Sequence, residues 1–320
     1  MHRQVRLYPF GDPNLYSVAK NWLNIEINNE SATELWIDSN WLTPIDISHE
    51  YFKNIKKVYF FDCFHAQPFL HDQIKKNIQR VSEHYPTVWY TCNALPVDDI
   101  NCVRFDYMWN RTKQAYLDHN PTWKHIGDPQ AYQQYPLHFG RREHRYLSLN
   151  RSLTPYRKKL LEFLNAYDGL KSNISQGLVL PNDFVTDRDI QQGITVPPAR
   201  RFFDNSYISC QVESQYEGTD SVIFTEKTYE HLIQGRLVLN FGPPGFYSAL
   251  EADGWKLPLG IDLSWDHTLN IHSRFKSYLD TLQSLFEMSL DQLHELFLLN
   301  SSVIEHNYNM LTIKPYNCID

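Results

Sequence analysis

The chain has 320 residues, 42% of them hydrophobic and 14% aromatic, enough to bury a large core and to form two domains of ordinary size. A formal charge of -7 argues against broad electrostatic binding to nucleic acid and leaves room only for a local basic patch. Five scattered cysteines without a C-x-x-C pair argue against a disulfide framework or a zinc site.

The start, MHRQVRLYPF, lacks the apolar core of a signal peptide, and no run is long enough to span a bilayer. A cytoplasmic protein with no membrane span is therefore expected. Residues 3–10 read as a first strand, and Gly11-Asp12-Pro13 turns it into a stretch with Leu15, Val18, Ala19, Trp22 and Leu23 on one helical face. Further strands are expected at 34–38 (ELWID), 57–62 (KVYFFD), 87–91 (TVWYT) and 102–106 (CVRFD), each short, apolar and rich in β-branched or aromatic residues. Between two of them, residues 68–84 carry helical spacing at Leu70, Ile74, Ile78 and Val81. Strands alternating with helices predict a parallel sheet covered on both faces.

Ligands of such sheets bind beyond the carboxyl ends of the strands. Three of these strands end in aspartate, at Asp38, Asp62 and Asp106. A carboxylate there can take the proton from an acceptor hydroxyl, and Asp62, with His65 beside it, is the first choice for that role. Aspartate also starts turns and caps helices, which is the competing explanation of all three.

From about residue 118 to 140 the composition shifts to His, Pro, Gln, Tyr and Trp with little periodicity, as in an ordered crossover between domains. A strand at 146–149, the turn Asn150-Arg151-Ser152, Pro155 and a helix over 156–164 follow. Residues 141–159 hold Arg141, Arg142, Arg145, Arg151, Arg157, Lys158 and Lys159 against Glu143 alone. Residues 171–200 suit an extended loop with short strands. An apolar run from Tyr207 leads to Glu213, and a second, at 222–224, leads to Thr225-Glu226-Lys227 and a helix. The strand 237–241 then stops in Gly242-Pro243-Pro244-Gly245, and from residue 263 onward the chain is helical.

Two carboxylates and a lysine thus fall where strands end and a helix begins. Thr225 is placed to cap that helix, Lys227 brings a positive charge suited to a phosphate, and Glu226 can accept hydrogen bonds from a ribose. A solvated Thr-Glu-Lys helix start is the plainer alternative.

The order of these residues resembles the donor-binding region of fucosyltransferase-like glycosyltransferases, in which a Phe-Glu-Asn strand end precedes an Ile-Thr-Glu-Lys helix start and a strand ending in glycine. Here the first reads Val212-Glu213-Ser214, a loose match, and the second reads Phe224-Thr225-Glu226-Lys227, a close one followed by Gly235 and Gly242. Bacterial and phage proteins sharing the Leu149-Asn150-Arg151 and Phe-x-Thr-Glu-Lys-Thr segments are similar too. The resemblance covers about residues 146–260 and implies an α/β fold of GT-B type, two Rossmann-like domains with parallel sheets and a cleft between them. The implied division is an acceptor-side domain at 1–140, a nucleotide-sugar domain at 141–262, and bracing helices at 263–320.

By the same resemblance Glu226 holds the ribose and Lys227 the diphosphate, Arg157 and the nearby Arg151 grip the donor phosphates, and Glu213, Thr225 and Gly242 complete the donor site. The implied activity is metal-independent transfer of a sugar from a nucleotide sugar to a hydroxyl acceptor, on a glycan or a hydroxylated nucleobase, with no further cofactor. Asp187-Arg188-Asp189, formally a D-x-D metal signature, has no apolar strand leading into it and reads as loop polarity. A non-catalytic module binding a nucleotide or glycan at the same place is the alternative from another class.

Overall fold

The computed structural model describes residues 3–8, 25–27, 30–38, 44–61, 68–94, 101–104, 107–118, 134, 136–150, 153–173, 203–214, 216–218 and 221–315. The chain forms two compact units, Met1–Tyr107 with Asn317–Asp320, and Met108–Tyr316. The helix expected near Leu15–Leu23, and Asp106, lie outside the described residues.

In the first unit the apolar runs become β1 (Arg3–Leu7), β2 (Ile25–Ile27), β3 (Glu34–Asp38), β4 (Lys57–Phe61), β5 (Thr87–Thr91) and β6 (Cys102–Arg104). They form one sheet in the order β2-β1-β3-β4-β5-β6, and every pair is parallel. In β3, β4 and β5 every residue after the first is buried, as a sheet covered on both faces requires. One face carries Leu35, Ile37, Val58, Phe60 and Trp89, into which the helix α1 (Pro68–Ser82) sends Ile74, Ile78 and Val81. The other face carries an aromatic row, Trp36 stacked on Tyr59 at 5.1 Å and Tyr59 on Tyr90 at 5.8 Å. Asp38 ends β3 and is buried.

The second unit begins within α2 (Tyr107–Asp118), at Met108. Then come β7 (His144–Asn150), α3 (Pro155–Leu164), β8 (Leu170–Asn173), β9 (Ser206–Val212), α4 (Glu226–Leu232), β10 (Leu237–Phe241) and α5 (Phe246–Ala252). The four strands pair in parallel in the order β10-β9-β7-β8. β9 and β10 are buried along their whole length.

Three helices close the unit, α6 (Ile271–Phe286), α7 (Leu290–Leu299) and α8 (Ser301–Ile313). Ser289 and Gln292 form a capping box that starts α7 three residues after α6 ends, so one helical run is split in two. From α6 the Tyr278 hydroxyl reaches the carbonyls of Leu239 (3.1 Å) and Gln211 (3.4 Å), tying the helix to β10 and β9. Among the described residues no helix is long and apolar enough to cross a membrane.

One expected strand is absent. Val222, Ile223 and Phe224 are buried without joining either sheet. Phe224 packs edge-on against Phe246 at 5.3 Å and Tyr229 at 6.0 Å, so the apolar run fills the space beside α4 and α5 and needs no ladder. An apolar triplet encodes burial, and a strand needs in addition an open neighbour to pair with.

Candidate functional site

Where the strand order of an open parallel sheet reverses, the connections leave in opposite directions and a crevice opens beyond the carboxyl ends. In the second unit this happens between β7 and β9, which end at Asn150 and Val212. Asn150 is buried; its amide donates to Ser148 Oγ at 3.1 Å, and its Oδ1 has no hydrogen-bond partner among the described residues.

α3 begins beside this point because Thr154 accepts a bond from the Arg157 N–H while Pro155 fills the first turn. Arg157 is only 3% exposed. Its Nε donates to the Val212 carbonyl at 3.0 Å and its Nη2 to Ser214 Oγ at 3.3 Å, so the guanidinium clasps the residues on either side of Glu213.

Glu213 is itself 1% exposed. Its carboxylate accepts hydrogen bonds from Thr225 Oγ1 (2.8 Å), Asn240 Nδ2 (3.0 Å) and Thr228 Oγ1, and its N–H donates to the Phe241 carbonyl at 2.9 Å. The end of β9, the start of α4 and the middle of β10 are therefore joined through one side chain. Thr225 holds the capping position of α4, yet its hydroxyl makes no capping bond. The expected cap is corrected: the hydroxyl donates to the Glu213 carboxylate in a charge-assisted bond and accepts none from the first N–H groups of the helix. Glu213, assigned above to the donor, here spends its oxygens on three side chains of its own fold.

Lys227 is half-buried in the first turn of α4. One turn on, His231 is buried against Ser209, its Nδ1 at 2.6 Å from the hydroxyl. Burial first, then the cations Arg236 and Lys227, hold this imidazole well below its ordinary pKa, so it stays neutral. At the end of β10, a Cβ on Gly242 would meet the Phe246 ring at 2.5 Å, which gives this glycine a packing reason of its own. Gly245, at φ +79°, makes the left-handed turn into α5.

Behind that turn Asp266 accepts from the Tyr247 N–H at 3.0 Å, and the Tyr247 hydroxyl bonds both the N–H (2.7 Å) and the carbonyl (3.1 Å) of Asn240. Burial pushes the Asp266 carboxyl up to about 6, against the pull of the Tyr247 N–H. The folded chain then binds this proton more tightly than the unfolded chain. Its contribution to stability is full below about pH 4 and is lost as the pH rises through about 6. On the scale of about 1.4 kcal/mol per unit, the loss is on the order of 2–3 kcal/mol. Urea unfolding at several pH values should show this fall in the wild type and a flatter profile in Asp266→Asn; equal slopes would remove Asp266 as the cause.

The structure thus brings Arg157, Glu213 and Thr225 to one edge of the sheet, with Lys227 beside Thr225 in the chain and Gly242 just beyond β10. Asp62, His65, Arg151 and Asp187-Arg188-Asp189 lie outside the described residues, as does the side chain of Glu226. Sequence reasoning missed Thr228, Asn240 and Ser209. For Asn240 the signal was present, as the one polar residue of LVLNF, whereas Ser209 shares SYISCQV with Ser206 and Gln211 and does not stand out.

No family model matches the sequence, and no curated protein matches it either.

Proposed function

We propose that the chain is a glycosyltransferase of GT-B type that moves a sugar from a nucleoside diphosphate donor to a hydroxyl acceptor, with the donor held at the carboxyl ends of β7 and β9. The observation that carries this is the clasp at the reversal point, where a buried arginine and a buried glutamate fix the strand end from which the Thr225-Glu226-Lys227 helix start is hung. A fixed frame of this kind lets cationic side chains meet a diphosphate with little reorganisation. Lys227 is the group that meets the diphosphate. Arg157 sets the frame and adds positive charge beside it. The resemblance of Phe224-Thr225-Glu226-Lys227 to a nucleotide-sugar site points the same way, and proton removal from the acceptor is assigned to Asp62 as in the sequence reading.

Lys227→Ala is the cleanest test, because Thr225, Thr228 and Asn240, the side chains that hold Glu213, all remain. Charge-assisted contacts contribute about 1.5–3 kcal/mol, so calorimetric affinity for a nucleoside diphosphate should drop roughly tenfold or more with the unfolding midpoint unchanged. Unaltered affinity would sink the assignment. Turnover of a nucleotide sugar decides between an enzyme and a module that only binds.

A further inference from the structure

Three residues past Glu213, Tyr216 sits in the loop that leaves β9, and it is held from two directions. Arg274, a buried residue of α6, donates through Nη2 to the Tyr216 carbonyl at 2.5 Å and through Nη1 to the Thr268 carbonyl at 2.8 Å. Two residues earlier, Ser214 is held by Arg157. The loop is thus pinned at both of these positions.

Tyr216 is half-buried. Its ring meets the ring of Tyr156 at 5.2 Å and 65°, and lies 6.3 Å from Phe241. Tyr156 is fixed in turn, its hydroxyl hydrogen-bonded to His272 Nδ1 at 2.7 Å and its ring against Phe275 at 4.8 Å. Tyr156 is also the immediate neighbour of Arg157 at the start of α3. One short chain of contacts therefore connects the guanidinium at the strand end to a half-buried tyrosine.

Aromatic rings held rigid before binding lose little entropy when a planar ligand stacks on them. Every nucleobase has a π-face, so such a platform recognises a base without reading its edge. We propose that Tyr216 is the stacking platform for the nucleobase of the donor, set by Arg274 and by Tyr156, the chain neighbour of Arg157. The proposal rests on the donor reading above and adds the part of the site that distinguishes a nucleotide from a bare diphosphate.

The test compares the wild type with Tyr216→Phe, Tyr216→Leu and Tyr216→Ala for affinity toward nucleoside diphosphates and toward inorganic pyrophosphate, with unfolding midpoints recorded alongside. Stacking on one ring predicts that Phe keeps wild-type affinity while Leu and Ala both lose roughly tenfold or more for nucleoside diphosphates. Pyrophosphate should bind all four alike. A ring that serves only packing would instead leave Leu close to the wild type, or weaken both ligands together, and either result overturns the proposal. A wild-type chain that binds no nucleoside diphosphate overturns the donor reading itself, and this platform with it.

Discussion

Glu213→Ala should cost the fold about 3–5 kcal/mol, read as a lower urea midpoint at an unchanged slope. The carboxylate is the acceptor for Thr225, Thr228 and the Asn240 amide, all buried. Hydrogen bonds to charged groups contribute about 1.5–3 kcal/mol each, and buried donors left without a partner carry a desolvation penalty that alanine cannot relieve. Water admitted to the vacated space offsets part of the loss, which is why the figure lies below three full bonds. Glu213→Gln keeps one acceptor oxygen and should fall between the two. Because Thr225 is released as well, donor affinity should drop in both variants although the carboxylate is bonded to three side chains of the fold. A cost below about 1 kcal/mol for the alanine variant would mean that the network adds little to the fold.

The second large effect is expected at Trp109 on α2, which is fully buried. Its indole N–H donates to the Pro315 carbonyl at 3.0 Å, and its ring meets Tyr229 at 5.4 Å and Trp255 at 5.5 Å, both edge-on. Around it Lys113 donates to the Lys314 carbonyl, and the Lys314 ammonium pairs with Asp253, which also accepts from the Trp255 indole at 3.0 Å. The helix α2, the helix α4, the turn after α5 and the end of α8 thus meet on one ring. Removing a buried tryptophan costs about 3–5 kcal/mol through lost contacts and the cavity left behind. Trp109→Ala should lower the thermal midpoint accordingly, and Trp109→Phe should recover the ring contacts but not the bond to Pro315. If Trp109→Ala unfolds with the wild-type midpoint, α2 is not an integral part of the second unit.

The strands were the most legible part of this chain. β3, β5 and β10 begin and end where the sequence suggests, because short β-branched and aromatic runs there are bounded by turn formers. The apolar triplet at Val222 misled for the complementary reason, since burial alone does not say whether a ladder partner is available. Trp109 was equally hard to place: nothing local reveals that its partners lie at Tyr229, Trp255 and Pro315.

The site was legible in its charges and illegible in its connections. Arg157, Glu213 and Lys227 stood out by type and position. That Glu213 faces inward follows from Thr225, Thr228 and Asn240, residues 12, 15 and 27 positions away. Long-range hydrogen bonds of this kind leave no periodicity behind.

Every strand pair in both sheets is parallel, so none of the described strands can form a hairpin early and pull its neighbours into place. Arg142, buried ahead of β7, donates to the carbonyls of Phe203 and Ser206, which lie 61 and 64 positions further along. As the chain leaves the ribosome, this guanidinium stays hydrated until those carbonyls arrive, and β7 carries a charged flank for as long as its central neighbour is missing. Closure of such distant pairs is slow, and the bonds of Arg142 are among those that have to wait for it.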